Sequence, residues 1–294
     1  MIKDRSIHVP DVDAVRRAFD KAAPSYDVYA VLQRAVADHL IDTLSLFSIS
    51  PERIIDLGAG TGYCAGPIQN RFPKARLTLC DISHEMLLAA EKKSRRWLDP
   101  RSYVCADINM LPFAENSVDL LFSSLSFQWC PDLDKLFSEC RRVLTPDGLL
   151  IFSSLGPDTL KELRFAFSPK DESEHVHEFI DMHDVGDALI RTGFTAPVLE
   201  TDRLVMTYET MRDVMQDLRG IGAVNQTQNR RRGLSTRKLF EQAEINYETF
   251  RIDGVLPATY EVVYGHAFSP NRRDPVQDGS QVASFPLNQL TRRK

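Results

Sequence analysis

No stretch of the 294 residues stays apolar over the roughly 18–20 positions that a membrane span needs. No apolar segment follows Met1-Ile2-Lys3-Asp4-Arg5, so a secretory leader is not expected, and this start is too acidic for an organelle transit peptide. The five cysteines, Cys64, Cys80, Cys105, Cys130 and Cys140, are odd in number, widely spread and without a C-x-x-C pair. That pattern excludes a disulfide framework or a cysteine zinc site and predicts reduced thiols in a cytoplasmic protein. An excess of basic residues is also missing. Lys and Arg number 36 against 41 Asp and Glu, a net charge of −5, which argues against a surface that grips nucleic acid. His175, His177 and His183 lie close together, but no acid or cysteine completes a metal set. Internal repeats and long low-complexity stretches are absent.

What remains is an ordinary globular composition. Apolar residues make up 43%, enough for a sizeable core, and the length suits one large domain. Val12, Val15 and Phe19 keep a helical spacing up to Pro24, and Leu32, Val36, Leu40 and Leu44 form a second stripe. From Arg53 to Ser154 five short apolar runs follow, at Ile54–Leu57, Leu77–Cys80, Tyr103–Ala106, Asp119–Phe122 and Leu149–Phe152. Helical patterns lie between them, as at Glu85–Trp97 and Leu133–Leu144. Strands apolar on both faces belong inside a parallel sheet covered by helices. The expected fold is therefore α/β, a doubly wound, mostly parallel, Rossmann-like sheet.

Beyond Ser154, Thr159-x-x-Glu162 fits a capping box for a helix running to Phe167. Val198–Tyr208 and Tyr260–Tyr264 read as a sixth and a seventh strand, one of them antiparallel, with helical stripes between them. The expected organisation is an N-terminal helical lid over 1–50, a core over 51–208, a helical cap insertion over 209–252, a last core strand over 253–268 and a polar tail over 269–294, all in one domain.

Asp56-Leu57-Gly58-Ala59-Gly60-Thr61-Gly62 follows the first strand and opens a helix. Glycines there permit a tight turn and close approach to a ligand. The second strand ends in Asp81, twenty-one residues beyond Gly60, where a carboxylate can hold a ribose diol. The third ends at Asp107, placed to take an adenine amino group. Dinucleotide sites favour G-x-G-x-x-G with a pyrophosphate on the helix N-terminus. Here the spacing is G-x-G-x-G behind an acid, which disfavours a phosphate and suits the ammonium and sulfonium of S-adenosylmethionine.

On these residues, together with Ala106-Asp107, the strand to Ser124 and the turn Arg142–Gly148, the chain resembles class I S-adenosylmethionine-dependent methyltransferases from Arg53 to Leu155. The resemblance implies a donor site built from Asp56, Gly58, Ala59, Gly60, Gly62, Asp81, Ile82, Met86, Asp107, Ile108 and Ser123. The flanks narrow it. Phe19–Asp27, Ser126-Phe127-Gln128-Trp129-Cys130, Leu155–Arg164, Gly220–Asn225 and Arg232-Gly233-Leu234 resemble the malonyl-acyl-carrier-protein O-methyltransferases of biotin synthesis, the BioC family, out to about Phe268.

That resemblance implies methylation of the free carboxylate of a malonyl group on acyl carrier protein, or on coenzyme A. Such a carboxylate is ionised at neutral pH and is its own nucleophile, so no general base is assigned. Tyr26, Tyr29, Gln128, Trp129 and Arg164 are candidates to orient the acceptor. Arg230, Arg231, Arg232, Arg237 and Lys238 form a basic cluster in the expected cap, suited to steering an acidic carrier. A monomer without membrane or nucleic-acid partners is expected. Two alternatives stay open. A mitochondrial complex I assembly factor, described as an arginine hydroxylase, shares segments like Asp158–Arg164 and Leu256–Tyr260. A small-molecule methyltransferase of the same fold is the other.

Overall fold

The computed structural model describes residues 11–94, 101–130, 132–167, 176–223 and 237–271. Seven strands form one sheet: β1 Arg53–Leu57, β2 Arg76–Asp81, β3 Ser102–Cys105, β4 Val118–Ser123, β5 Leu144–Leu155, β6 Thr195–Tyr208 and β7 Leu256–Phe268. Their order across the sheet is β3-β2-β1-β4-β5-β7-β6. β1 to β5 run parallel, and β7 lies antiparallel between β5 and β6. The strand order reverses between β1 and β4, so their carboxyl ends open the crevice where such sheets bind ligands.

The helices are α1 Val12–Ala22, α2 Tyr26–Tyr29, α3 Val31–Thr43, α4 Ala65–Arg71, α5 His84–Lys93, α6 Leu133–Val143, α7 Lys161–Phe167, α8 Met182–Arg191, α9 Met211–Gly220 and α10 Arg237–Glu248. None of these is long and apolar enough to cross a membrane. The sheet separates two apolar layers. One joins Leu40, Ile54, Ile68 and Leu79 to Leu120 and Tyr247. The other joins Leu57, Leu121 and Phe137 to Phe152 and Leu189. Residues of one strand thus feed both layers, which is why β1 and β4 are buried along almost their whole length.

Several boundaries differ from the sequence reading. The first two helices are three, because α2 interposes a single turn after Pro24. α5 ends at Lys93, and residues 95–100 lie outside the described ones. β7 runs thirteen residues, since Pro257 and Gly265 hide an extension that pairing with β5 and β6 enforces. The capping box expected of Thr159 and Glu162 does not form. Leu160 takes φ +55°, and Thr159 Oγ1 instead exchanges hydrogen bonds with the Glu261 main chain. Glu162, buried, accepts from the main-chain amide and the hydroxyl of Thr259. Both polar side chains therefore fasten α7 to β7. A capping box does occur at Thr210 and Asp213, ahead of α9.

Candidate active site

The loop after β1 is shaped by its glycines. Gly58, Gly60 and Gly62 have φ of +70°, +53° and +76°, a region that side chains disfavour. The amides of Gly58 and Ala59 donate to the Cys80 carbonyl, at 2.7 and 3.1 Å, drawing the loop over the end of β2. A Cβ on Gly58 would lie 2.3 Å from the Ser126 Cβ. Asp81 completes the turn. One carboxylate oxygen accepts from the Gly60 amide and the other from the Ser83 amide, both at 2.8 Å.

A cavity partly open to solvent lies above this loop. Gly58, Gly60, Asp81, Ile82, Met86, Asp107 and Ile108 of the expected donor site line it. Asp56 and Ala59 line an adjoining recess that shares Tyr26, Gly58, Gly60 and Ser124 with it. Two expected members stand back from both spaces. Gly62 meets Ala90 and Leu79, at 3.0 and 3.1 Å from a notional Cβ, so it serves the packing of the loop on α5 and β2. Ser123 is fully buried and donates to the Leu57 carbonyl, tying β4 to β1.

The carboxylates set the electrostatics. Burial, reinforced by the charge of Asp81, raises the Asp56 carboxyl to about 7. Burial also raises Asp81 to about 6, against the lowering effect of its main-chain amide donors. Asp56 Oδ2 has no hydrogen-bond partner among the described residues. A pair of carboxyls held near neutrality, one with a vacant acceptor, is suited to a ligand that brings positive charge and hydroxyl donors. S-adenosylmethionine meets both conditions. Apolar walls from Ile82, Met86 and Ile108 suit an adenine ring.

Two latches close the N-terminal helices over this space, and sequence reading did not assign them. Ser83, which caps α5, donates to Asp20 of α1 at 2.6 Å. Asp27 of α2 accepts from the Thr61 hydroxyl at 2.6 Å and pairs with Lys93 at 2.5 Å. Burial pulls the Asp27 carboxyl upward, but the Lys93 and Thr61 hydrogen bonds outweigh it and hold the group below the usual range. Val12, Val15 and Phe19 of α1 thereby become part of the cavity wall. Both acids sit in the Phe19–Asp27 segment singled out from sequence, and their spacing to partners more than thirty residues away carries no local signal.

A second cavity adjoins the first and shares Phe19, Tyr26, Leu125 and Trp129 with it. Tyr26 lines both, and burial followed by the Asp81 charge pushes its phenol upward, so it stays protonated. Trp129 lies edge-on to Phe19 at 5.6 Å and stacks on His177 at 6.0 Å. Gln128 also lines the second cavity. Its side-chain amide donates to the Leu125 carbonyl at 2.7 Å, and its buried side-chain oxygen has no described partner.

Two expected acceptor residues do other work. Tyr29 receives a hydrogen bond from Gln216, and its ring abuts Gly220, where a Cβ would come within 2.2 Å. It staples α2 to α9. Arg164 donates to the carbonyls of Pro157 and Thr159, at 2.9 and 3.2 Å, and braces the turn before α7 from behind the cavity wall. Of the basic cluster, Arg230, Arg231 and Arg232 lie outside the described residues. Arg237 and Lys238 open α10, where Arg237 is exposed and pairs with Glu241 at 2.8 Å.

Comparison with known proteins agrees with this geometry. A family model described as a methyltransferase domain matches residues 55–152, from β1 to β5. Malonyl-[acyl-carrier protein] O-methyltransferase of Methylovorus sp. (strain MP688) is 46% identical over 94% of this chain and 95% of its own. The protein of the same name from Laribacter hongkongensis is 46% identical over 94% of this chain and 96% of its own. Among solved structures, the [4+2]-cyclase SpnF superposes with a TM-score of 0.58, covering 90% of this chain and 97% of its own, at 17% identity. That last likeness speaks to the fold alone.

Proposed function

The chain belongs to the malonyl-[acyl-carrier protein] O-methyltransferase family, and on that premise we propose that it methylates the free carboxylate of a malonyl thioester on acyl carrier protein. S-adenosylmethionine is the donor, and the step belongs to early biotin synthesis in the cytoplasm. The observation that carries this reading is the pair of cavities with one shared wall. One contains the carboxyls that suit a cationic donor, and the other is mainly apolar and suits an acyl arm.

The donor supplies an electrophilic methyl on a sulfonium, already a good leaving group. Asp81 would hold its ribose, Asp107 its adenine amino group and Asp56 its ammonium end, with Gly58, Gly60, Ile82, Met86 and Ile108 around them. The malonyl carboxylate is ionised at neutral pH and needs no base. What the chain contributes is placement and exclusion of water. Phe19 and Trp129 close the apolar part of the shared wall. Tyr26, held protonated, has a hydroxyl that can donate to an acceptor oxygen at that wall. Methylation removes the acceptor's charge, so the acyl chain can be extended as an ordinary fatty chain until an esterase restores the acid.

We read 1–50 as the lid, 51–208 with 253–268 as the core and 209–252 as the cap, acting as one monomeric domain. Residues 269–294 are read as a tail. Arg230, Arg231, Arg232, Arg237 and Lys238 are read as the surface that steers the acidic carrier. The test uses methyl-labelled donor with malonyl-carrier, malonyl-coenzyme A and acetyl-carrier. Label should appear as a methyl ester on malonyl thioesters and not on the acetyl carrier. Absence of ester, with the donor bound, overturns the reading.

A further inference from the structure

The second cavity poses an electrostatic problem. Its acceptor is an anion, yet its lining is mostly apolar, with Leu32, Leu125, Leu160, Leu163, Phe179 and Leu218 prominent. A carboxylate moved into such a space without a counter-charge is strongly disfavoured. Among the described residues no Lys or Arg lines the cavity, and the titratable ones that do are Tyr26, His177 and Tyr260. Both phenols are pushed upward by burial and stay neutral. Among the described lining residues only His177 can become cationic near neutral pH.

His177 is also well placed and well held. Its ring stacks on Trp129, at 6.0 Å and 22° between planes, and so lies one ring away from the wall shared with the donor cavity. Phe179 meets it edge-on at 5.3 Å. The Gln128 main chain engages it in a hydrogen bond, which leaves a second ring nitrogen for a ligand. In the ligand-free chain, burial lowers the tendency of the imidazole to carry a proton. Arg164, behind it on α7, acts in the same direction, while the Gln128 main chain and Glu178 oppose them.

Resting on the function proposed above, we propose that His177 is the counter-charge for the malonyl carboxylate. It takes up a proton as the anion enters and donates a hydrogen bond to one carboxylate oxygen, leaving the other to attack. Once that oxygen is methylated the charge is gone, and the proton returns to solvent as the neutral ester departs. Protons and charge balance over the cycle. The device favours the acid over its own ester, so product release follows from the chemistry.

The signature lies in KM rather than kcat. Above the pH at which free His177 loses its proton, binding must import one, and KM for malonyl-carrier rises about tenfold per pH unit. The rise begins below the ordinary histidine midpoint of about 6.5. His177→Gln is expected to raise KM about 10- to 100-fold near pH 6 and to flatten its pH dependence, while kcat changes less than about threefold. A second readout needs no variant. In the intact chain with S-adenosylhomocysteine, malonyl-pantetheine should raise the imidazole midpoint of His177 by about 1–2 pH units in an NMR titration. If wild type forms the ester and His177→Gln keeps both KM and its pH rise, or if the midpoint stays put while malonyl-pantetheine binds, the role of His177 is overturned and the methyltransferase reading stands. If wild type transfers no methyl to malonyl-carrier, the reading itself fails and takes this inference with it.

Discussion

At Gly58 one hydrogen atom decides whether the loop can close. Its φ of +70° and the 2.3 Å from a notional Cβ to Ser126 act together. Gly58→Ala should therefore destabilise the chain by about 2–4 kcal/mol and weaken donor binding at least about tenfold, read by thermal melting and calorimetric titration. The buried acids give a prediction in pH. Asp56 and Asp81 have folded values of about 7 and about 6, above the usual carboxyl range, so the folded state binds more protons than the unfolded one in between. Stability of the ligand-free chain should fall as pH rises from about 4 to about 7. A cationic donor reverses that loss, so the increase in Tm on adding S-adenosylmethionine should be larger near pH 8 than near pH 5. An increment independent of pH would show that these carboxyls do not meet the donor's charge. Residue types and positions made Asp56, Asp81 and Asp107 legible in sequence, because each lies at or just past the carboxyl end of a strand in an alternating pattern. The roles of Arg164 and Tyr29 were not legible, since their partners, the Pro157 carbonyl and Gly220, are set by the turn before α7 and by the packing of α2 on α9.

Single elements show how tertiary partners redirect local signals. Thr159 and Glu162 have the spacing of a capping box, yet both bond to β7. Glu162→Ala would leave the Thr259 amide buried without its acceptor and should cost about 1–3 kcal/mol, measured by denaturant unfolding. α1 and α2 behave differently, because among the described residues few polar contacts hold them to the glycine loop and α5. Asp27→Asn removes the charge facing Lys93 and weakens the bond to Thr61. Asp27 and Lys93 are both half-exposed, so the effect should be modest, about a 3- to 10-fold rise in KM for the donor with less change in kcat. Asp132 is the contrasting case. It caps α6 by accepting from the Lys135 amide at 3.0 Å, and it lines neither cavity. Asp132→Ala should cost about 1 kcal/mol of stability and leave both KM values unchanged in steady-state kinetics.

Over the whole molecule, the parallel half of the sheet was readable because strands buried on both faces are written as short apolar runs. The antiparallel pair was readable only in part. β6 is an edge strand with many exposed side chains, and Pro257 and Gly265 interrupt the apolar pattern of β7. Most of the donor cavity comes from the ends of successive strands between Gly58 and Cys130, each followed by its own short motif, and so was largely visible, whereas the part supplied by α1 was not. The acceptor cavity draws on Tyr26, Gln128, Thr159, His177, Leu218 and Tyr260, scattered along the chain, and only the fold assembles it. The central claim is that these two adjoining cavities hold donor and acceptor against each other at their common wall, lined by Phe19, Tyr26, Leu125 and Trp129. A crystal structure of the chain with S-adenosylhomocysteine and malonyl-pantetheine tests it most directly. The account predicts the thioether sulfur in the first cavity and the malonyl carboxylate in the second, separated across Tyr26 and Trp129 by room for one methyl group. A carboxylate bound outside the second cavity, or a sulfur turned away from that wall, would contradict it.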